Sequence, residues 1–344
     1  MASIVLRDQT VIGDYQKPYI VAEVNTSHFG DMATAKKMID HAKAIGCDCV
    51  KFQSWSTDSL YSKSYYDENP IAKRFVKKFS FSETELLELS TYCQTTGISF
   101  ASTPYSKAEV DFLVGEGAAP YVKVASMDLT NYPFLEYIAK TGAPIVLSTG
   151  MAEMDEIKKA VDTIESTGNS NICLLHCIAI YPAEASTIQL NNILGLRQEF
   201  PNYPIGYSDH SIGTEIAAAA VALGACMIEK HFTLDNTKIG MDNQMATEPE
   251  EMAELVQMCQ NIQSALGNYE RVISPAELEQ RKKIRRSIVA SVDLKSGQVL
   301  SANDLETKRP GSGLPPEIIS ELIGKTTIRD IEQDTFILEK DISK

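Results

Sequence analysis

Residues 203–232, YPIGYSDHSIGTEIAAAAVALGACMIEKHF, decide the fold. Two short apolar runs, 203–206 and 226–228, read as strands. An Ala-rich helical segment that opens at Gly213 and reaches Leu223 lies between them. Strand, helix, strand in so short a span makes the two strands parallel neighbours, because a parallel pair needs a crossover connection. His210 and His231 then emerge at the carboxyl ends of adjacent strands, on one rim. Two imidazoles converging there can bind a divalent cation. The plainer alternative is one satisfied core histidine and one surface histidine. The flanking Asp209 and Glu229, and the polar character of the rest of the rim, favour the cation.

Working outward, the same alternation fills the first 267 residues. Strand candidates are 19–24, 47–52, 98–101, 121–125, 144–147, 172–176, 204–206 and 226–230. Helical segments follow most of them, among them 31–45, 82–95, 153–165 and 249–266. Gly46 stops the first helix, and Ser82-Glu83-Thr84-Glu85 reads as a capping box for the second. Eight such units are the count of a (β/α)8 TIM barrel. The rival, a doubly wound open sheet, calls for a Gly-rich phosphate fingerprint after its first strand. Glu23-Val24-Asn25-Thr26-Ser27-His28 is nothing like one.

The alternation stops near Gly267. The expected division is a barrel over 1–267, a charged linker over 268–286 with a helical portion at 275–283, and a small β-rich module over 287–344. The basic run at 281–286 reads as a solvated helix end, since the chain as a whole carries a net charge of −14. That charge argues against general nucleic-acid binding and requires any anionic substrate to be met by local cations. With 44% hydrophobic and 23% charged residues, the composition is that of an ordinary globular protein. The first residues carry no apolar signal core and no run approaches a membrane span, so the expectation is a cytoplasmic protein without membrane contact. The seven cysteines mostly lie in apolar runs and read as buried small hydrophobes in a reducing compartment.

Chemistry in such a barrel sits where the strands end. Standing at or just after strand ends, Glu23, Lys51, Gln53, Thr103, Lys123, Ser126, Ser148, Tyr181, Ser208, His210 and His231 belong to that rim, with Lys51 and Gln53 inward by alternation. Buried lysines are costly without anions. Lys51 and Lys123 beside the hydroxyls of Thr103, Ser126 and Ser208 could hold a phosphate or carboxylate. Two alternatives are lysines bonded to structural carboxylates, and a Schiff-base lysine. The histidine pair favours metal-assisted polarisation of a carbonyl instead.

These stretches, with Leu147-Ser148-Thr149-Gly150-Met151, Tyr181-Pro182 and Lys308-Arg309-Pro310-Gly311, resemble the sialic acid synthase (N-acetylneuraminate synthase) family over essentially the whole chain. The C-terminal module is similar to that family's antifreeze-like, or SAF, domain. The resemblance implies a metal-dependent transferase in which phosphoenolpyruvate condenses with the open-chain aldehyde of an N-acylated hexose and phosphate leaves. It implies manganese or magnesium on His210 and His231. Lys51, Thr103, Lys123, Ser126 and Ser208 would hold phosphoenolpyruvate. Glu23, Tyr181, Asp242 and Arg309 would lie on the sugar side, with Gln53 also binding substrate. Glu23 and Asp242, together with the metal ligand His231, are then the candidate catalytic groups. A homodimer, with Arg309 reaching the partner's barrel, is a further expectation.

The chain departs from the family at three places. Asn25-Thr26-Ser27-His28 stands where Gly-x-Asn-His is usual, Ala179 where Asn or Ser is usual, and Gly240-Met241-Asp242-Asn243 where Gly-Pro-Asp is usual. The acceptor could therefore be N-acetylmannosamine or a 2,4-diacetamido-trideoxyhexose, giving neuraminic, legionaminic or pseudaminic acid types. A Schiff-base pyruvate lyase and a noncatalytic sugar-binding protein are the rival readings.

Overall fold

The structure, a computed structural model, describes residues 1–343 and divides into two compact units, Met1–Gly267 and Asn268–Lys344. The first unit opens with an antiparallel hairpin, β1 (Ser3–Val5) and β2 (Val11–Gly13). Eight parallel strands follow: β3 (Tyr19–Glu23), β4 (Cys49–Gln53), β5 (Ser99–Thr103), β6 (Val122–Val124), β7 (Ile145–Ser148), β8 (Ile172–Cys177), β9 (Ile205–Asp209) and β10 (Met227–His231). Hydrogen-bonded neighbours run β5-β4-β3-β10-β9-β8-β7-β6. The circuit is thus a near-closed barrel whose two ladder ends are β5 and β6.

Alternation separates two cores. Outward residues such as Ile20, Ala22, Val50 and Ile228 pack beneath the helices. Inward residues fill the lower barrel: Tyr19, Val21, Cys49, Tyr121, Val146, Cys173, Leu175 and Met227, joined by Ile4, Leu6 and Ile12 of the hairpin. The hairpin therefore plugs the end opposite the carboxyl rim. Gly206 is needed there because a Cβ would come within 2.5 Å of Leu175 Cδ2 and 2.9 Å of the Met227 carbonyl. All seven cysteines are buried and free.

Helices follow their local signals. Asp31 caps Met32–Ile45 and Gly46 ends it in the left-handed region, φ 96°. The Ser82 capping box opens Glu83–Thr96. The connection after β4 holds two helices absent from the sequence reading, Lys63–Glu68 and Pro70–Phe79. Six of the barrel strands end one to three residues later than read, and β3 and β6 end one residue earlier. Residues 204–206 were expected, whereas β9 continues to Asp209. The polar residues at the rim stay in the ladder, because backbone pairing does not depend on side-chain polarity.

In the second unit Ser274 caps a helix, Pro275–Ile284. That helix joins the unit through Gly311 N donating to the Lys282 carbonyl, 2.9 Å. Strands β11 (Ser287–Ala290) and β12 (Leu305–Lys308) pair antiparallel over a core of Ile288, Leu294, Leu300, Ile331 and Ile337. Arg329 grips the buried Asp341 carboxylate through Nε at 2.6 Å and Nη2 at 3.1 Å. Among the described residues no helix is long and apolar enough to cross a membrane.

Candidate active site

The carboxyl ends of the barrel strands surround a cavity of about 350 Å³. Its floor is a cluster of four buried charges. Lys51 Nζ lies 2.5 Å from Glu23 Oε2 and 3.7 Å from Glu229 Oε2, and Lys123 Nζ lies 3.3 Å from Glu229 Oε1. Register explains the assembly: Glu23 pairs with Lys51 across β3 and β4, and Glu229 with Ser208 across β10 and β9. Hydroxyls complete it. Lys51 donates to Thr103 Oγ1 at 3.1 Å, Lys123 to Ser148 Oγ at 2.8 Å, and Ser208 to Glu229 Oε1 at 3.0 Å. Ser126 Oγ accepts from Gly150 N at 3.1 Å and lies 3.2 Å from Cys177 Sγ.

The two carboxylates of the cluster diverge. Burial pushes Glu23 up to about 7 against the pull of Lys51. Burial also pushes Glu229 upward, but Lys123 and Lys51 overcome it and leave it at about 2. Burial works to neutralise Lys51, yet Glu229 and Glu23 more than offset it, so its pKa lies above the ordinary lysine value. Burial raises Asp242 to about 6, less than it otherwise would because Asn25 donates to it.

In the same cavity, the His210 and His231 rings stand 5.5 Å apart, with Tyr181 tilted over His210 at 4.2 Å. Burial lowers both imidazole pKa values, so both are neutral near pH 7. His210 Nδ1 lies 2.6 Å from the Ile178 carbonyl. A carbonyl only accepts, so the proton sits on Nδ1 and Nε2 keeps its lone pair. This donor chemistry fits a divalent cation with two nitrogen ligands and oxygens from substrate or solvent. Among the described residues no group of three or more His, Cys, Asp and Glu converges as a metal site.

The sugar-side candidates form a second network. Gln53 donates to Glu23 Oε1 at 2.7 Å and accepts from Tyr105 OH at 2.7 Å. Trp55, Tyr61, Met127, Met151 and Met241 line the same cavity.

Glu23, Lys51, Gln53, Thr103, Lys123, Ser126, Tyr181, Ser208, His210, His231 and Asp242 all line the cavity. Arg309 lies in the second unit, exposed. The pairing of Asp209 with Glu229 as flanks of the metal site needs correction. Glu229 shares the inward parity of His231. Asp209 faces the other way, where it binds Lys230 Nζ at 2.7 Å, Tyr207 OH at 3.0 Å and Ser211 Oγ at 2.7 Å. Tyr105 and Trp55 were missed, since neither sits in a strand whose alternation could place it.

A barrel with paired lysines, carboxylates and neutral imidazoles at its carboxyl mouth belongs to the class of TIM-barrel enzymes that receive an anion beside a carbonyl compound. The chain belongs to the NeuB family, whose model matches residues 38–271, and residues 285–343 match the SAF domain. It is 36% identical to the N,N'-diacetyllegionaminic acid synthase of Legionella pneumophila, over 93% of each chain. It is also 36% identical to human N-acetylneuraminate-9-phosphate synthase, over 96% of this chain and 94% of that one. The crystal structure of N-acetylneuraminic acid (sialic acid) synthetase from Leptospira borgpetersenii, in complex with citrate, superposes with a TM-score of 0.74 at 35% identity, covering 81% of this chain and 94% of that one.

Proposed function

We propose that this protein is a nonulosonate synthase. It joins C3 of phosphoenolpyruvate to the aldehyde carbon of an open-chain N-acylated hexose. Water adds at C2, phosphate leaves, and a nine-carbon 2-keto acid results. The observation that carries this is the cavity itself: two buried lysines ringed by hydroxyls face two neutral imidazoles within one enclosure.

Lys51 and Lys123, with Thr103, Ser126 and Ser208, hold phosphoenolpyruvate. The lysines are neutralised by Glu23 and Glu229. An incoming polyanion takes over those charges, and Glu23, with a pKa of about 7, can accept a proton as Lys51 turns to the ligand. His210 and His231 would hold manganese or magnesium, which supplies Lewis acidity towards a carbonyl oxygen. Glu23 and Asp242 orient the sugar hydroxyls and handle protons, Gln53 fixes Glu23, and Tyr181 presents its ring face beside the imidazoles. The raised pKa of Lys51 argues against a Schiff base at that residue, since a protonated amine is no nucleophile.

Arg309 is assigned to the acceptor's N-acyl carbonyl at the barrel of a partner subunit in a homodimer. A cytoplasmic location agrees with seven free, buried thiols. Phosphate release from phosphoenolpyruvate, assayed across a panel of N-acyl hexoses with added manganese or magnesium, tests the function. Turnover abolished by a chelator and restored by metal supports the metal assignment. Full activity of a chelated enzyme sinks it, and a borohydride-trapped pyruvate adduct would favour the lyase.

A further inference from the structure

Tyr105 lies beyond the end of β5, yet its hydroxyl reaches the buried charge cluster through a single side chain. Tyr105 OH donates to Gln53 Oε1 at 2.7 Å, and Gln53 Nε2 donates to Glu23 Oε1 at 2.7 Å. Glu23 Oε2 in turn meets Lys51 Nζ at 2.5 Å. All four residues line the cavity. Chemistry fixes the direction of each bond. Burial raises the Tyr105 phenol well above its ordinary pKa, so it keeps its proton and can donate. Glu23 is surrounded by donors, the Asn25 N–H at 3.1 Å on Oε1 and the Lys51 ammonium on Oε2. Gln53 must therefore turn Nε2 to Glu23, which leaves Oε1 for Tyr105.

Tyr105 is itself clamped. Its backbone N–H donates to Glu109 Oε2 at 2.6 Å, in the first turn of the helix Lys107–Val114. Its ring tilts against Trp55, with centroids 5.8 Å apart. Its hydroxyl makes no other hydrogen bond among the described residues, so its polar contact is with Gln53 alone. A carboxamide held on one side only can turn over and present oxygen where nitrogen stood. Such a flip would set Gln53 Oε1 against the Glu23 carboxylate, acceptor against acceptor. We infer that Tyr105 is a positioning residue for the condensation: its hydroxyl locks the Gln53 amide in the one orientation that holds Glu23 in place. The inference rests on the synthase reading and adds the residue on which the setting of Glu23 depends.

Tyr105→Phe deletes the hydroxyl and keeps the ring, the backbone bond to Glu109 and the packing on Trp55. Its kcat should fall about five- to tenfold, the worth of one hydrogen bond, while the KM for phosphoenolpyruvate stays within about twofold. A double-mutant cycle with Gln53→Ala then separates positioning from a general disturbance. Gln53→Ala alone should lower kcat at least as far. Adding Tyr105→Phe to it should cost no more than about a further twofold, because the side chain through which Tyr105 acts is gone. Losses that multiply in the double variant overturn the inference. So does an unchanged kcat in Tyr105→Phe, or a KM for phosphoenolpyruvate that rises as far as kcat falls. Each of these leaves a wild-type synthase turning over. A wild-type protein that releases no phosphate with any acceptor overturns the synthase reading and this inference together.

Discussion

Lys123 stands between a hydroxyl and a carboxylate, donating to Ser148 at 2.8 Å and facing Glu229 at 3.3 Å. If its ammonium serves a phosphate, Lys123→Met removes one charge-assisted hydrogen bond, worth about 1.5–3 kcal/mol. The KM for phosphoenolpyruvate should then rise about 10- to 100-fold while that for the sugar barely moves. Initial rates of phosphate release at varied concentrations of each substrate check this, and equal rises would count against the assignment. Asp242 gives a pH test. Burial lifts its pKa from 3.8 to about 6, so below about pH 6 it carries a proton and cannot accept from a sugar hydroxyl. Acceptor kcat/KM should climb with pH through about 6, and Asp242→Asn should abolish that limb. The effect on stability has the opposite sense. The folded chain binds this proton more tightly than the unfolded chain, so the group's stabilising contribution at low pH is lost as pH rises from 3.8 to about 6.

Short apolar runs made the strands legible, and their carboxyl ends brought Lys51, Lys123, Ser208 and His231 onto one rim before any coordinates, with period-two alternation turning Lys51 and Gln53 inward. Alternation could not place Asn25, Tyr105 or Trp55. They lie beyond strand ends, where loop geometry decides, and the hydrogen bonds of Asn25 and Tyr105 join residues far apart in the chain. The segment after β10 shows the same limit. Asn243 looks like one polar residue in a polar stretch, yet it is fully buried. Its Oδ1 accepts from Thr233 Oγ1 at 2.6 Å, and its Nδ2 donates to the Asp235 and Lys238 carbonyls, each at 2.8 Å. These bonds fold the loop that delivers Asp242 and Met241 to the cavity. Asn243→Ala leaves two carbonyls without that donor and should destabilise the protein by about 1–3 kcal/mol. A lower melting temperature together with a raised sugar KM is the expected result, and an unchanged melt would show that the loop holds itself without Asn243.

At the scale of the molecule, the strand–helix rhythm of the sequence ends near Gly267, and the chain divides into compact units between Gly267 and Asn268. The contacts within the second unit were not readable, because short strands and turns carry little periodicity. Arg309 is the residue of that unit with a proposed task at the sugar site. Its side chain is exposed and makes no hydrogen bond or ion pair among the described residues, whereas Lys308 beside it faces Asp334 at 2.6 Å. A guanidinium with no local partner has its donors free for a carbonyl such as that of an N-acyl group. If two subunits share each site, Arg309→Ala and His231→Ala proteins are each inactive alone but complementary. A mixed dimer pairs the intact barrel of the first with the intact Arg309 of the second, restoring one of its two sites. Random exchange of equal amounts makes about half of the dimers mixed, so activity should return to about one quarter of the wild-type value. Native mass spectrometry on differently tagged chains confirms exchange. Exchange without recovery rejects the shared site, and a fully active Arg309→Ala protein removes Arg309 from the reaction.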